Sequence, residues 1–224
     1  VPFVAIGAGT PIPWFEPFHQ KGIKCIPVVP NVKLAQRVQA HGADALVVEG
    51  MEAGGHDGKL TLMALLENVL PDIEIPVIAA GGIADGRGIA ASLLMGASGV
   101  QMGTRFLLAE ECSLHPKAKD AIMAAADTDS VVTGFTTGDS VRGLKNRFSD
   151  RYLKAEYSGA SPDELSSISA GTTKRGALLG DTENGFILAG MSLTHLTKIQ
   201  SAKEIVEELV SETERRLVAA PGLI

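Results

Sequence analysis

Five short apolar runs recur through the first half of this 224-residue chain, and helical periodicity fills the intervals between several of them. No other feature restricts the fold as much. The runs are Val4–Ile6, Cys25–Val29, Ala45–Val48, Pro76–Ala80 and Gly99–Met102. Each is brief and mostly apolar, as a strand of a parallel sheet covered on both faces must be. Val32, Leu34, Ala35 and Val38 form one helical stripe, Leu62, Leu65, Leu66 and Val69 a second, and Ile89, Ala90, Leu93 and Leu94 a third. Strand–helix alternation of this kind builds βαβ units with right-handed crossovers. Lys21-Gly22-Ile23, His41-Gly42-Ala43-Asp44 and Met95-Gly96-Ala97-Ser98 each place a capping glycine just before a strand.

Five βα units are compatible with an open doubly wound sheet or with part of an eight-stranded (β/α)8 barrel, a fold of about 250 residues. A barrel of five units is three short, and an unclosed barrel exposes strand edges. On the barrel reading, the chain is expected to be incomplete at its start. Residues 1–125 are assigned to the βα units. Residues 126–193 are rich in Thr, Ser, Gly and charge, without clear strand alternation, and read as a small helical lid or substrate subdomain. Residues 194–224 read as a C-terminal helix that packs back on the body. Ser201 and Glu204 form a capping box there, and Ile205, Val206, Leu209, Val210 and Leu217 share one side.

Composition narrows the functional classes. Hydrophobic residues make up 45% of the chain, which supports a packed core. A formal charge of −6 and only 4% aromatics argue against a general nucleic-acid surface. No apolar run approaches 18 residues, so no membrane span is expected. Cys25 and Cys112 read as reduced thiols, and with no leader read in the given residues a cytoplasmic protein is expected.

Three glycine-rich segments follow the strands where α/β enzymes bind ligands. In the first, Glu49-Gly50-Met51-Glu52-Ala53-Gly54-Gly55-His56, paired glycines admit a ligand close to the backbone and His56 sits at the strand's C-terminal rim. The second carries Gly81 and Gly82, the third Gln101, Met102, Gly103 and Thr104. They close consecutive strands, and backbone N–H groups there, aided by a following helix N-terminus, suit an anion such as a phosphate. No Gly-x-Gly-x-x-Gly stands between a strand and a helix, and no P-loop lysine motif occurs. His19, His41, His115 and His195 show no metal-ligand spacing, and no metal is expected. Asp44 and Asp85 read as turn or cap residues.

The segment from Glu49 to His56 with Gly58-Lys59-Leu60-Thr61 resembles the signature of the FMN-dependent enoyl-acyl-carrier-protein reductase II enzymes, which group with the nitronate monooxygenases. Ile78–Gly86, Val100–Phe106, Val141–Asn146, Gly180-Asp181 and Asn184-Gly185 extend the likeness in order over nearly the whole chain. The resemblance implies a (β/α)8 barrel whose last five units are present, with Val1 near the fourth strand and a small helical domain over the flavin. By position it places Glu49, Gly54 and Gly55 beside FMN, Gly81, Gly82, Gly103 and Thr104 at its phosphate, and Gln101 and Met102 on the same strand end. His56 matches the catalytic histidine. Where the family commonly has Ala-Gly-Gln, this chain has Ala189-Gly190-Met191.

The implied activity is reduction of trans-2-enoyl-acyl-carrier-protein thioesters by NADH or NADPH, with FMN as cofactor and a homodimer expected. The developing enolate oxygen needs a hydrogen-bond donor and the α-carbon a proton; an imidazole, which ordinarily titrates near neutral pH, suits either task. Oxidation of nitronates with O2 is the alternative, although the monooxygenases more often carry Gln where this chain has Glu49. A flavin-binding protein without catalysis is a third reading. Arg142, Lys145, Arg147, Arg151 and Lys154 cluster in sequence and suit an acidic carrier protein, or else a solvated helix face.

Overall fold

The computed structural model describes residues 1–223. Strands run β1 (Phe3–Ile6), β2 (Lys24–Val29), β3 (Leu46–Glu49), β4 (Gly55–His56), β5 (Val77–Ala80), β6 (Gly99–Gln101), β7 (Ser130–Thr133) and β8 (Val141–Leu144). Helices run α1 (Phe15–His19), α2 (Val32–Ala40), α3 (Leu62–Val69), α4 (Gly86–Leu94), α5 (Pro116–Ala124), α6 (Arg147–Tyr157), α7 (Pro162–Ser169), α8 (Thr172–Ala177) and α9 (Ala202–Ala219). The chain divides into two compact units. The first comprises 1–52, 58–102 and 209–224, the second 53–57 and 103–208.

The first unit is an α/β layer. Its five strands are all parallel, in the order β1-β2-β3-β5-β6. All five apolar runs become these strands. The interior strands β3 and β5 are the most buried, and the edge strands β1 and β6 are half-exposed, because an edge has a neighbour on one side only. Cys25, Val29, Leu46, Val48, Val77 and Ala79 meet the helix residues Ala35, Val38, Leu65, Leu66 and Val69 in one core. That burial is the main force holding sheet to helices. Asn31 caps α2 by accepting the Leu34 N–H, and Asp85 caps α4 by accepting from Arg87 and Gly88.

The second unit combines helices with an antiparallel ribbon of order β4-β8-β7. The ribbon departs from the helical reading of 126–193. The unit also begins at Gly103, earlier than the compositional break near 125. A small core forms where Phe148 on α6 meets Tyr152, Leu165 and Phe186, with the Phe148 and Phe186 rings 5.1 Å apart. Asn146 and Ser149 form a reciprocal capping box on α6, and Ser161 and Glu164 one on α7.

Helix α9 begins in the second unit and ends in the first. Its expected apolar side needs correction. Ile205, Leu209 and Thr213 are buried, whereas Val206 and Val210 are 47% and 50% exposed. The buried stripe is therefore one residue wide, stepping by four. Among the described residues, no helix is long and apolar enough to cross a membrane.

Candidate active site

In the first unit, Glu49, Ala80 and Gln101 stand level at the C-terminal ends of three neighbouring strands, paired in register across β3, β5 and β6. The predicted residues Glu49, Gly81, Gly82, Gln101 and Met102 thus share one rim. Gly81 and Gly82 have φ of 95° and 70°, a region that side chains rarely adopt. A Cβ on Gly82 would also lie 3.1 Å from that of Glu52.

Glu52 does a job that the motif does not reveal. Both of its carboxylate oxygens accept the Leu62 N–H, at 3.0 and 2.9 Å. It therefore closes the N-terminus of α3, where Thr61 makes no side-chain cap. No local signal announces it, because Glu52 and the N–H that it accepts lie ten residues apart.

The α4 N-terminus differs from expectation. Asp85 accepts from Arg87 and Gly88, and Glu212 of α9 accepts from Gly86 at 2.9 Å. Burial opposes the charge on Asp85, but hydrogen bonds from Arg87 and Gly88 outweigh it and hold the carboxyl below its usual range. These first N–H groups of the helix serve carboxylates, not a ligand. An anion at this rim would rely on the glycine bend itself.

His19, Cys25 and Asp44 also converge in the first unit, with potential ligand atoms within 4.8 Å of one another. Sequence spacing does not reveal this. Their donors and acceptors already satisfy one another: Asp44 Oδ2 accepts the Cys25 N–H at 2.7 Å and lies 2.9 Å from His19 Nε2. Burial, reinforced by the Asp44 charge, pushes the Cys25 thiol up. The cluster reads as an anchor for the end of α1 on β2.

In the second unit, Gly54 lies against the Ala189–Gly190 peptide. A Cβ at Gly54 would stand 2.6 Å from the Ala189 carbonyl carbon. The Gly190 N–H donates to Thr104 Oγ1 at 2.9 Å. Thr104, Gly54 and Ala189–Gly190 are thus gathered from three distant segments, and the Thr104 hydroxyl keeps its own proton to donate. Met191, next in chain, is 44% exposed.

His56 occupies β4 beside Gly55. Its imidazole is mostly exposed, with Nε2 3.2 Å from Asp139 Oδ1. Asp57 and Arg142 are buried, Oδ2 to Nη2 at 3.7 Å. Arg142 is therefore withdrawn from the basic cluster expected on the surface. Arg105 is likewise buried; burial lowers its pKa, and its Nη2 donates to Gln200 Oε1. It ties the loop after Thr104 to the segment before α9.

The model of the nitronate monooxygenase family matches residues 1–212. The chain belongs to the nitronate monooxygenase family. A probable nitronate monooxygenase of Staphylococcus aureus is 34% identical over 88% of this chain and 58% of its own length. The chain thus spans a little under three fifths of such curated relatives. FabK from Thermotoga maritima is 39% identical, with a TM-score of 0.96 over 100% of this chain and 71% of that one. A nitroalkane oxidase from Streptomyces ansochromogenes is 29% identical, with a TM-score of 0.84 over 98% of this chain and 66% of that one.

Proposed function

We propose that this family member is an FMN-dependent oxidoreductase that reduces trans-2-enoyl-acyl-carrier-protein thioesters with NADH or NADPH, and that its parallel sheet supplies the last five strands of a (β/α)8 barrel. The observation that carries the reading is the likeness to FabK, an enoyl-acyl-carrier-protein reductase II, over the whole chain. It exceeds the likeness to the nitroalkane oxidase in both identity and TM-score. The nitronate reading retains the support of the family model and of the name carried by the curated relatives.

The residues fit a phosphate-bearing cofactor. Gly81 and Gly82 form a side-chain-free bend at the strand rim, and Thr104 retains a hydroxyl proton after accepting from Gly190. With α4 closed by Asp85 and Glu212, Gly81, Gly82, Gly103 and Thr104 would hold the phosphate. By the family resemblance, Glu49, Gln101, Met102, Gly54 and Gly55 are the residues assigned to the flavin. Bound FMN would supply the two-electron chemistry. His56 would hold the proton destined for the α-carbon, or donate a hydrogen bond to the enolate oxygen. With Nε2 turned to Asp139, Nδ1 is the nitrogen that remains for a substrate.

The test is the protein purified from its native source. The expected result is a yellow protein that releases FMN and oxidises NADH or NADPH only when a crotonyl thioester is supplied. Oxygen uptake with a nitronate and no response to the thioester would overturn it in favour of the alternative.

A carrier-bound substrate also needs a docking surface for an acidic partner. Arg147, Arg151 and Lys154 recur at helical spacing on the exposed side of α6, with Lys145 just before it. Arg147 pairs with Glu183 at 3.3 Å, which leaves Arg151 and Lys154 as the stronger attractors. Reversing both charges is expected to raise KM for the carrier-bound substrate about tenfold, in line with lost electrostatic steering, while KM for a small thioester holds. Equal changes in both would refute docking on α6.

A further inference from the structure

His56 rides on a strand of only two residues. Its ladder consists of Gly55 opposite Arg142 and His56 opposite Val141, extended by the Asp57 N–H donating to the Ser140 carbonyl at 3.3 Å. So short a pairing fixes register weakly. Register matters here because side chains alternate across a ribbon, and a slip of one residue exchanges the two faces. His56 and Asp139 lie on the exposed face, with side chains 66% and 77% exposed. Asp57 and Arg142 lie on the other, at 3% and 6%.

The buried face carries charge where apolar residues would be expected. Arg142 faces Asp57 Oδ2 at 3.7 Å and donates from Nη1 to Ser130 Oγ on β7 at 3.1 Å, so one guanidinium joins β4, β8 and β7. Among the described residues, Asp57 Oδ1 has no hydrogen-bond partner. A buried pair at that distance with an orphaned oxygen is a poor source of stability, since desolvation offsets most of the attraction. It is a strong source of specificity. In the slipped register Asp57 would turn outward, and the buried guanidinium would lose its contact with that carboxylate, a costly exchange in the interior.

We propose that Asp57 and Arg142 are positioning residues for the reaction: their buried pair locks β4 in the one register that presents His56 outward. This rests on the reading of His56 as the proton-bearing group, but the lock itself has a separate readout.

The test variant is Asp57→Leu combined with Arg142→Met. It removes the lock without leaving a buried charge, so the fold is expected to survive. Three quantities are read on the native protein and the variant: the melting temperature, the His56 ring resonances of histidine-labelled protein, assigned by His56→Ala, and enoyl-thioester turnover. The expected result is a retained melting temperature, a His56 resonance that shifts or splits between registers, and kcat reduced about tenfold or more by the misplaced imidazole. The same pair introduced beside His56→Ala is expected to change kcat by less than about twofold, because no imidazole remains to be positioned.

A single unshifted His56 resonance in the double variant would overturn the lock, as would kcat losses that multiply in the His56→Ala background. If His56→Ala alone leaves turnover unchanged, the role of His56 fails instead, and the resonance still decides the lock. Should the double variant fail to fold, Asp57→Asn is read by the same resonance and the same turnover: a shifted or split His56 signal supports the lock, and an unshifted one overturns it.

Discussion

Gly54→Val is expected to lower the melting temperature by roughly 5–10 °C. Each kcal/mol shifts a chain of this size by about 2–4 °C, and an overpacked site costs about 1–3 kcal/mol. The upper part of that range applies because the clash is with backbone. The new Cβ would fall 2.6 Å from the Ala189 carbonyl carbon, 2.7 Å from the Gly190 nitrogen and 2.8 Å from the Ala189 Cα. None of these atoms can swing aside as a side-chain end can. Moving the peptide would also pull the Gly190 N–H from Thr104 Oγ1, leaving two polar groups to find new partners. Calorimetry of the purified variant checks the stability. If the variant binds FMN, a weakened grip on it is expected as well, because Thr104 loses the contact that orients its hydroxyl. A melting temperature within about a degree of the parent would show that the Ala189–Gly190 segment yields freely, against the close approach seen at Gly54.

The parts of the fold carried by local periodicity are legible in the sequence, and the parts carried by distant pairing are not. The five parallel strands and helices α2, α3 and α4 announce themselves because each carries its apolar residues within one short window, although Leu94 of the α4 stripe is 65% exposed. Asp85 as a helix cap is legible for the same reason: its partners, Arg87 and Gly88, lie within three residues.

The ribbon of β7, β8 and β4 escapes such a reading. Ser130–Thr133 and Val141–Leu144 are four residues each and β4 only two, too short for an alternation to stand out among Thr and Gly. Their pairing becomes visible only when Gly55 meets Arg142, with several strands and helices between them in the chain. The difference at the face of α9 has another cause. Val206 and Val210 fit an apolar stripe as well as Ile205 and Leu209 do, and only the neighbours present decide which are covered.

The candidate site divides the same way. The glycine bends and His56 are motif residues and can be picked out from the chain alone. Glu52, Glu212, Asp57 and Asp139 cannot, because each acts on a group that the chain brings to it from elsewhere. The helix N-terminus after Gly82 illustrates the risk of stopping at the motif. Its position suggests an anion site, yet two carboxylates already use its first N–H groups, which confines any phosphate to the bends.

His56→Ala is expected to lower kcat/KM for an enoyl thioester by roughly 10²–10⁴-fold, the usual contribution of a positioned acid–base group. Retained FMN and an unchanged melting temperature should accompany the loss. The imidazole is solvent-exposed on a ribbon edge, so its removal opens no cavity in the core. The carboxylate beside it among the described residues is Asp139, and a contact so exposed contributes little to stability. The chemistry and the fold are therefore separable at this position, which makes the variant a clean measurement. His56→Gln divides the two roles open to the histidine. Glutamine can donate a hydrogen bond to an enolate oxygen but cannot deliver a proton to carbon. Recovery of most of the lost turnover would assign His56 to stabilising the oxyanion; none would assign it to proton delivery. Unchanged kcat/KM in His56→Ala would remove the residue from the mechanism altogether.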